Sequence, residues 1–394
     1  MYQALFLISI LVLVSLAFFP LARRSGTPML LVVLAVGMLA GEDGPGGVAF
    51  SDFELAYNAG SVALALILFA GGLETGRDVL RRAGLPAIVL ALPGVLITAG
   101  IVGVAAHFLL GLPLLLALLL GAVVAPTDAA ATFMLIQHGK LNIPDRTRST
   151  LLLESGFNDP AGICLTIILT ALIGAPTAAD PAMWAEYGWL VAAQIVFGIA
   201  GGIVGGRLLS ALMNRLTMPT GTYPVLAIAG ALVIFAGITL IGGSGFLAVY
   251  IAGIALRNRL KGPLEPVANF SEGMQWLSQL LLFLLLGFLV TPSELPDEII
   301  GALICAGLLT FVARPVAVWL GLAPFGYRPK ELTFLSWVGL RGAVPILLSI
   351  YPVVSPGPVT HEFFNVVFII VVSSLIVQGF TAGALGRLLK LQPD

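Results

Sequence analysis

The sequence predicts an all-α polytopic membrane protein of about 13 transmembrane helices, and three observations carry that reading. Only 10% of the 394 residues are charged, 59% are hydrophobic and the mean hydropathy is +1.06. A soluble domain carries about 25% charge, and so few charges cannot coat a globule of this size. Apolar runs near 20 residues recur along the whole length, the span a helix needs to cross about 30 Å of hydrocarbon. Runs such as Leu114 to Val124 do not alternate, which excludes a membrane β-barrel. The same composition excludes a soluble enzyme, a disordered chain and a nucleic-acid binder with a basic face.

The spans fall between charged or Gly/Pro-rich breaks, near 3–22, 28–41, 55–73, 85–109, 112–136, 149–174, 187–210, 222–241, 245–256, 273–291, 298–321, 332–353 and 363–388. The first has no basic n-region and no small-residue cleavage site, so it reads as a retained helix rather than a signal peptide. Arg23 and Arg24 follow span 1, Arg77, Arg81 and Arg82 span 3, and Lys140, Arg146 and Arg148 span 5. Arg207 and Arg215 close span 7, and Arg257, Arg259 and Lys261 close span 9. Arg328 and Lys330 follow span 11, and Arg387 and Lys390 end span 13. The alternate loops hold only acids: Glu42, Asp43, Asp52, Glu54, Asp180, Glu186, Glu294, Asp297, Glu298 and Glu362. Positive charge collects on the cytoplasmic side. The expectation is an N-terminus outside, a C-terminus in the cytoplasm and an odd number of spans, because a wrong span count would scramble the alternation.

Two cations, Arg314 and Arg341, are left inside apolar runs, where an ionisable group needs a partner or a water-filled cavity. The acids to match them are Asp128, Glu154 and Asp159, with Glu74 at the end of span 3. Function is to be sought among these groups.

Span 5 contains Ala125-Pro126-Thr127-Asp128. Pro126 has no amide hydrogen and disfavours helix before it. Nearby carbonyls lose their partners there, and freed carbonyls of a broken mid-membrane helix can coordinate a cation. A simple proline kink is the alternative; the adjacent Thr-Asp pair favours a site. Span 6 reads Glu154-Ser155-Gly156-Phe157-Asn158-Asp159-Pro160. Its pairs Ser155 with Asp159 and Glu154 with Asn158 are i and i+4 on a helix, and Gly156 leaves room for another backbone. Polar glue between helices is the alternative. Span 12, with Gly339-Leu340-Arg341-Gly342-Ala343-Val344-Pro345, again joins glycine, proline and a charge in mid-run. Spans 5 and 12 lie seven apart, so the chain reads as inverted repeats, spans 1–6 and 8–13 around span 7, each with one broken helix. Paired interrupted segments are the sequence pointer to a transporter's substrate site.

These motifs, together with Phe69-Ala70-Gly71-Gly72-Leu73-Glu74 and Gly37-Met38-Leu39-Ala40-Gly41-Glu42-Asp43-Gly44-Pro45-Gly46-Gly47, resemble the CPA1 branch of the monovalent cation/proton antiporters. Within it the chain is most similar to the bacterial potassium/proton antiporters of the NhaP2/CvrA type, over its entire length. The resemblance implies the sodium/proton antiporter-like fold and exchange of a monovalent cation, potassium favoured over sodium or lithium, for protons. Asp159 would hold cation and proton alternately, with Thr127, Asp128, Ser155 and Asn158 completing the site and the cation lying at Asp159, Thr127 and Ser155. Glu154 would pair with Arg314 as a structural ion pair. Arg341, with Pro126 and Pro345, would mark the crossing of the broken helices. The fold would place 1–84 and 222–297 in a dimerisation domain, 85–174 and 298–394 in a mobile core, and 175–221 in a linker helix. A homodimer in the lipid of a bacterial inner membrane is implied, with no cofactor and no nucleic-acid partner. Subgroup relatives carry cytosolic regulatory domains after the last helix; a chain ending at Asp394 reads as a minimal transporter or as the membrane part of one.

On that resemblance an exchange scheme is expected. One carboxylate, Asp159, would bind a cation or a proton, never both, and Asn158 in place of a second acid points to one-for-one, electroneutral exchange. Glu74, with Asp78, reads as a cation-attracting cytoplasmic entrance or a solvated helix end. His107, His138 and His361 read as interfacial residues, and Cys164 and Cys305 as small buried hydrophobes. Gly201-Gly202-Ile203-Val204-Gly205-Gly206 reads as close helix packing. Three rival classes remain: an intramembrane aspartyl protease using Asp128 and Asp159, a serine-type one hinted at by Gly242-Gly243-Ser244-Gly245, and a passive cation channel.

Overall fold

The computed structural model describes residues 2–25, 28–128, 143–174, 181–354 and 359–391. Each of the thirteen intervals contains helix among these residues. In chain order they are α1 (Tyr2–Ala17), α2 (Phe19–Ser25), α3 (Met29–Ala40), α4 (Phe53–Glu74), α5 (Arg77–Leu110), α6 (Leu114–Val124), α7 (Asp145–Gly174) and α8 (Pro181–Arg215). There follow α9 (Thr222–Leu240), α10 (Gly245–Arg259), α11 (Leu264–Leu289), α12 (Pro292–Phe325), α13 (Pro329–Trp337), α14 (Ala343–Val354) and α15 (His361–Leu389). Nine helices among the described residues are long and apolar enough to cross a bilayer, accompanied by the shorter apolar α3, α6 and α14. The largest corrections to where helices begin concern α5, α8, α11 and α12. Each begins six to nine residues earlier than its apolar run, because the polar first turns carry on the helix beyond the hydrocarbon.

Burial sorts the helices. Only 11% of the apolar window of α1 is buried inside the protein and 22% of that of α9, against 67% for α15. An apolar helix left uncovered is costly in water and at home in lipid. α1 and α9 therefore lie at the periphery and α15 at the centre.

Helices α3, α4, α8, α10 and α11 pack mainly on one another, and α5, α6, α7, α12, α14 and α15 do the same. The two sets meet chiefly where α14 rests on α4 and α11, and where α7 touches α4 and α10. Within the first set, α10 approaches α4 to backbone contact. A Cβ on Gly72 would lie 3.0 Å from the Cα of Gly253 and run into the carbonyl oxygen of Tyr250. The glycine run of α8 serves the packing read from it: Gly202 and Gly206 both face the backbone of α10. Ser244 of the Gly-Gly-Ser-Gly string caps α10, accepting from the amide of Leu247 at 3.2 Å.

The second set holds the interruptions. Residue ranges 90–94 in α5 and 309–313 in α12 are π turns, which occur as local expansions of α-helices and often at functional sites. They stand in spans 4 and 11, seven apart like the two broken spans, and each packs against the other's helix. α6 stops at Val124, and 125–128 is non-helical; α13 stops at Trp337, and 338–342 is non-helical before α14 begins.

Gly72→Ala is expected to destabilise the protein by about 1–3 kcal/mol, since the obstacle is backbone that cannot rotate aside. Gly84→Ala, where an added Cβ meets nothing within 4 Å, should leave stability unchanged or slightly raised. Thermal unfolding in detergent checks the contrast; equal shifts for both variants would refute the close packing of α4 on α10.

Candidate functional site

Residues 125–128 and 338–342 cross, and each supplies what the other lacks. α6 ends with carbonyls that have no helical partner, at the negative end of its dipole. Arg341 answers them: its Nη1 donates to the carbonyls of Ala125 at 2.7 Å and Pro126 at 2.9 Å. In the other direction the amide of Asp128 donates to the carbonyl of Leu340 at 2.8 Å. The Asp128 carboxyl lies against Gly342, where any Cβ would overlap it. That places a carboxylate beside the N-terminus of α14, the positive end of its dipole. The backbone amide of Arg341 donates to Ser374 Oγ of α15 at 3.2 Å, fastening the crossing to the central helix. Arg341 is 1% exposed and meets carbonyls, not an acid. The carbonyls of Ala125 and Pro126, among those the broken helix frees, thus accept from the guanidinium. Pro345 is buried in the first turn of α14, where its missing amide hydrogen costs no helical bond.

α7 brings its polar turn to this crossing, and the four side chains divide their partners. Asn158 Nδ2 donates to Thr127 Oγ1 at 2.7 Å, and Ser155 Oγ lies 3.3 Å from the same hydroxyl. Glu154 faces away from them towards α12. Arg314 Nη1 bonds Glu154 Oε1, and Nη2 bonds Oε2 at 2.9 Å, a two-pronged ion pair with side chains 5% and 1% exposed. Arg314 also reaches the carbonyl of Leu335 at 3.3 Å, and its Nε fills the space beside Gly339. Asp159 is left: 6% exposed, with an Oδ1 that makes no hydrogen bond among the described residues.

Asp159 lines a cavity of about 460 Å³ with Asp128, Ser155 and Gly156. The cavity extends to Glu74, Arg148 and Glu272, all exposed. This is the end of the molecule that carries Arg77, Arg81 and Arg82, which follow Glu74 directly. The sequence-predicted residues Asp159, Asp128, Thr127, Ser155 and Asn158 are therefore gathered within one site, with Glu74 at its mouth. Among the side chains that line the cavity, Asp128, Ser155 and Asp159 at the crossing offer oxygen, the donor type of a hard monovalent cation.

Several polar wall residues were not singled out from sequence. Glu272, Gln275 and Gln279 line the cavity from α11, and their spacing of three and four puts them on one helical face; that polar stripe was a readable signal. Tyr250 of α10 was not readable, being one aromatic residue in an apolar run. Its ring sits on Gly156, where a Cβ would strike it. The neighbour that Gly156 admits is thus a side chain and not a backbone. His107 Nδ1 lies 2.7 Å from the carbonyl of Leu112 and the His361 ring stacks 4.7 Å from Phe53, both away from the cavity. His138 lies outside the described residues.

Residues 9–388 match the family described as sodium/hydrogen exchanger, transmembrane. The chain belongs to that family. It is a multi-pass membrane protein, and the family's members are transporters, not proteases or other enzymes. The exchanger chain is 44% identical over 391 residues to the K(+)/H(+) antiporter NhaP of Alkalimonas amylolytica, covering 98% of this chain and 66% of that one. It is 42% identical over 385 residues to the K(+)/H(+) antiporter NhaP2 of Shewanella oneidensis, with the same two coverages. This exchanger chain therefore spans 66% of the length of those relatives. In fold it matches the sodium proton antiporter MjNhaP1 of Methanocaldococcus jannaschii at a TM-score of 0.82, with 23% identity, covering 98% of this chain and 99% of that one.

Removing one member of a buried ion pair strands the other, at a cost of about 3–5 kcal/mol. Glu154→Gln is expected to lower the folded yield from membranes severalfold, and reversal of both charges, Glu154→Arg with Arg314→Glu, to restore part of it. Size-exclusion profiles in detergent report the outcome. Single and double variants that behave like the wild type would show the pair to be dispensable.

Proposed function

We propose that the protein exchanges a monovalent cation, potassium by preference, for protons by alternating access, with both ligands competing for Asp159. The observation that carries this reading is the Asp159 carboxylate, whose Oδ1 has no hydrogen-bond partner among the described residues, in the wall of a cavity that reaches the surface. A carboxylate this buried cannot keep an uncompensated charge cheaply. A proton removes the charge and a cation offsets it, so either ligand lets the site move and neither is needed in the other's presence. A gradient of one then drives the other uphill.

The charges around Asp159 support an electroneutral cycle. Glu154 is offset by Arg314, Asn158 is neutral, and Asp128 sits against the α14 N-terminus with the Arg341 guanidinium at the crossing. One ligand per turnover then satisfies the site. Potassium is preferred because the NhaP and NhaP2 relatives are potassium/proton antiporters by name. Sodium is the second reading, favoured by a relative from Methanocaldococcus jannaschii, "Probable Na(+)/H(+) antiporter 2", 30% identical over 346 residues.

The moving unit in this scheme is the set α5–α7 and α12–α15, which comprises the core expected at 85–174 and 298–394. The set around α3, α4, α10 and α11 is the static unit, and its lipid-facing periphery provides the contact of a homodimer. The basic loops face the cytoplasm of a bacterial inner membrane, which puts the mouth at Glu74 on the cytoplasmic side and the N-terminus outside.

In proteoliposomes loaded with a pH-sensitive dye, potassium pulses are expected to move protons at a rate unaffected by an imposed voltage, with smaller responses to sodium and lithium. Asp159→Asn should lower this exchange at least about a hundredfold, the usual scale for losing a group the reacting charge depends on, while eluting like the wild type. Cation-dependent proton flux retained in Asp159→Asn would remove the basis of the proposal, and a voltage-driven current would replace exchange with a channel.

A further inference from the structure

Tyr250 reaches the site from the other side of the cavity. It belongs to α10, whose backbone is held on α4 by the Gly72–Gly253 approach, so its Cα is fixed in the static unit. The ring passes 4.0 Å from the Cβ position of Gly71 and ends over Gly156 of α7, edge-on to Phe157 with centroids 5.1 Å apart at 82°. It is 1% exposed, and its hydroxyl makes no hydrogen bond among the described residues. The one neighbouring hydroxyl on α4, Thr75, donates to the carbonyl of Gly71 at 3.0 Å. Tyr250 shares the cavity wall with Ser155 and Asp159, and Gly156 stands three residues before Asp159 on the same helical face.

A buried hydroxyl with both donor and acceptor capacity is not left without a partner cheaply. The packing explains the ring, since Gly156 and Phe157 accommodate it; it does not explain the oxygen, which a phenylalanine would lack. Tyr250 is part of the wall of the cavity that holds Asp159, with its oxygen against Gly156; there the oxygen has a natural use as an acceptor from the water shell of a cation bound at that wall.

We propose that Tyr250 is a cation-positioning residue of this exchanger, holding the hydrated ion against Asp159 through its hydroxyl in the conformation open at Glu74, and in that conformation only. The restriction follows from where the two groups are anchored: Asp159 on α7 in the moving unit, Tyr250 on α10 in the static one. When the moving unit slides, Gly156 leaves the ring and the hydroxyl no longer faces Asp159. The proposal rests on the alternating-access reading and predicts an asymmetry that reading does not require. The cation is held more tightly from the cavity face than from the opposite face by the worth of one hydrogen bond.

The test is Tyr250→Phe, which keeps the ring on Gly156, assayed in proteoliposomes sorted by orientation so that potassium is offered to one face at a time. At the face of Glu74 the KM for potassium is expected to rise about three- to tenfold, the ordinary worth of one such bond, with kcat within about twofold. At the opposite face KM should be unchanged. Gly156→Ala, which displaces the whole ring, should reproduce the same one-sided shift. A KM unchanged at both faces, or raised equally at both, overturns the proposal, since the hydroxyl, which Tyr250→Phe removes while keeping the ring, is placed at the site in one conformation only. Asp159→Asn run alongside separates the two ideas: exchange that survives it defeats the antiport scheme itself, whereas a silent Tyr250→Phe beside an inactive Asp159→Asn defeats only the role of the tyrosine.

Discussion

The crossing of two interrupted helices is the constraint on which the rest of this structure depends. A helix that stops in mid-membrane leaves carbonyls at one end and amides at the other, and hydrocarbon satisfies neither. Here the debt of each half-helix is met by the other strand of the crossing. Arg341, from the segment before α14, covers the carbonyls at the end of α6. Asp128, from the segment after α6, lies at the start of α14. The two residues are reciprocal: a neutral side chain in place of either would remove the charge that faces a helix end across the crossing. Glycine at 342 and at 339 is required for the same reason, because the Asp128 carboxyl and the Arg314 Nε occupy the places a Cβ would take.

This explains why some of the molecule could be read from residues and some could not. A charge in an apolar run is a local signal, so Arg314, Arg341, Asp128, Glu154 and Asp159 stood out against composition alone. The alternation of basic and acidic loops is a long-range count, and it located thirteen segments where helices are found. The fate of a carbonyl, by contrast, depends on what crosses it. Pro126 announces that partners are lost, but only the fold shows Arg341 taking them. Tyr250 and the stripe Glu272, Gln275 and Gln279 belong to helices with no break and no buried charge. Their role comes from facing the cavity, a property of packing. The π turns in α5 and α12 were equally silent, since neither Pro93 nor Pro315 by itself distinguishes a π turn from a kink.

Those π turns extend the internal symmetry. The broken spans 5 and 12 form the crossing, and spans 4 and 11, beside them, are each locally expanded and each packed on the other. Arg314 is the first residue after the second expansion. An extra residue in a turn rotates everything beyond it by about 100°, enough to carry a side chain from one helix face to another. The expansion at 309–313 therefore bears on the direction in which Arg314 leaves α12, and with it on the ion pair to Glu154. The first half has no cation at the matching place, where the first residue after the expansion is Val95, buried and apolar. The repeats share a backbone device and differ in the charge it carries.

That difference sets the electrical state of the centre. Around the crossing stand three acids, Glu154, Asp128 and Asp159, and two cations, Arg314 and Arg341. Glu154 and Arg314 are matched atom to atom. Asp128 and Arg341 face opposite helix ends, where each is offset by a dipole and together they sum to nothing. Asp159 is the remainder. A centre with one more acid than base carries a single negative charge that burial penalises, and one monovalent ligand of either kind cancels it. Had Asn158 been a second carboxylate the remainder would be two, and a proton and a cation could be held together; had Arg314 been missing, Glu154 would compete with Asp159 for the same ligand. The ion pair outside the cavity thus does more than join two helices: by neutralising Glu154, it leaves Asp159 as the acid of the centre whose charge nothing among the described residues offsets.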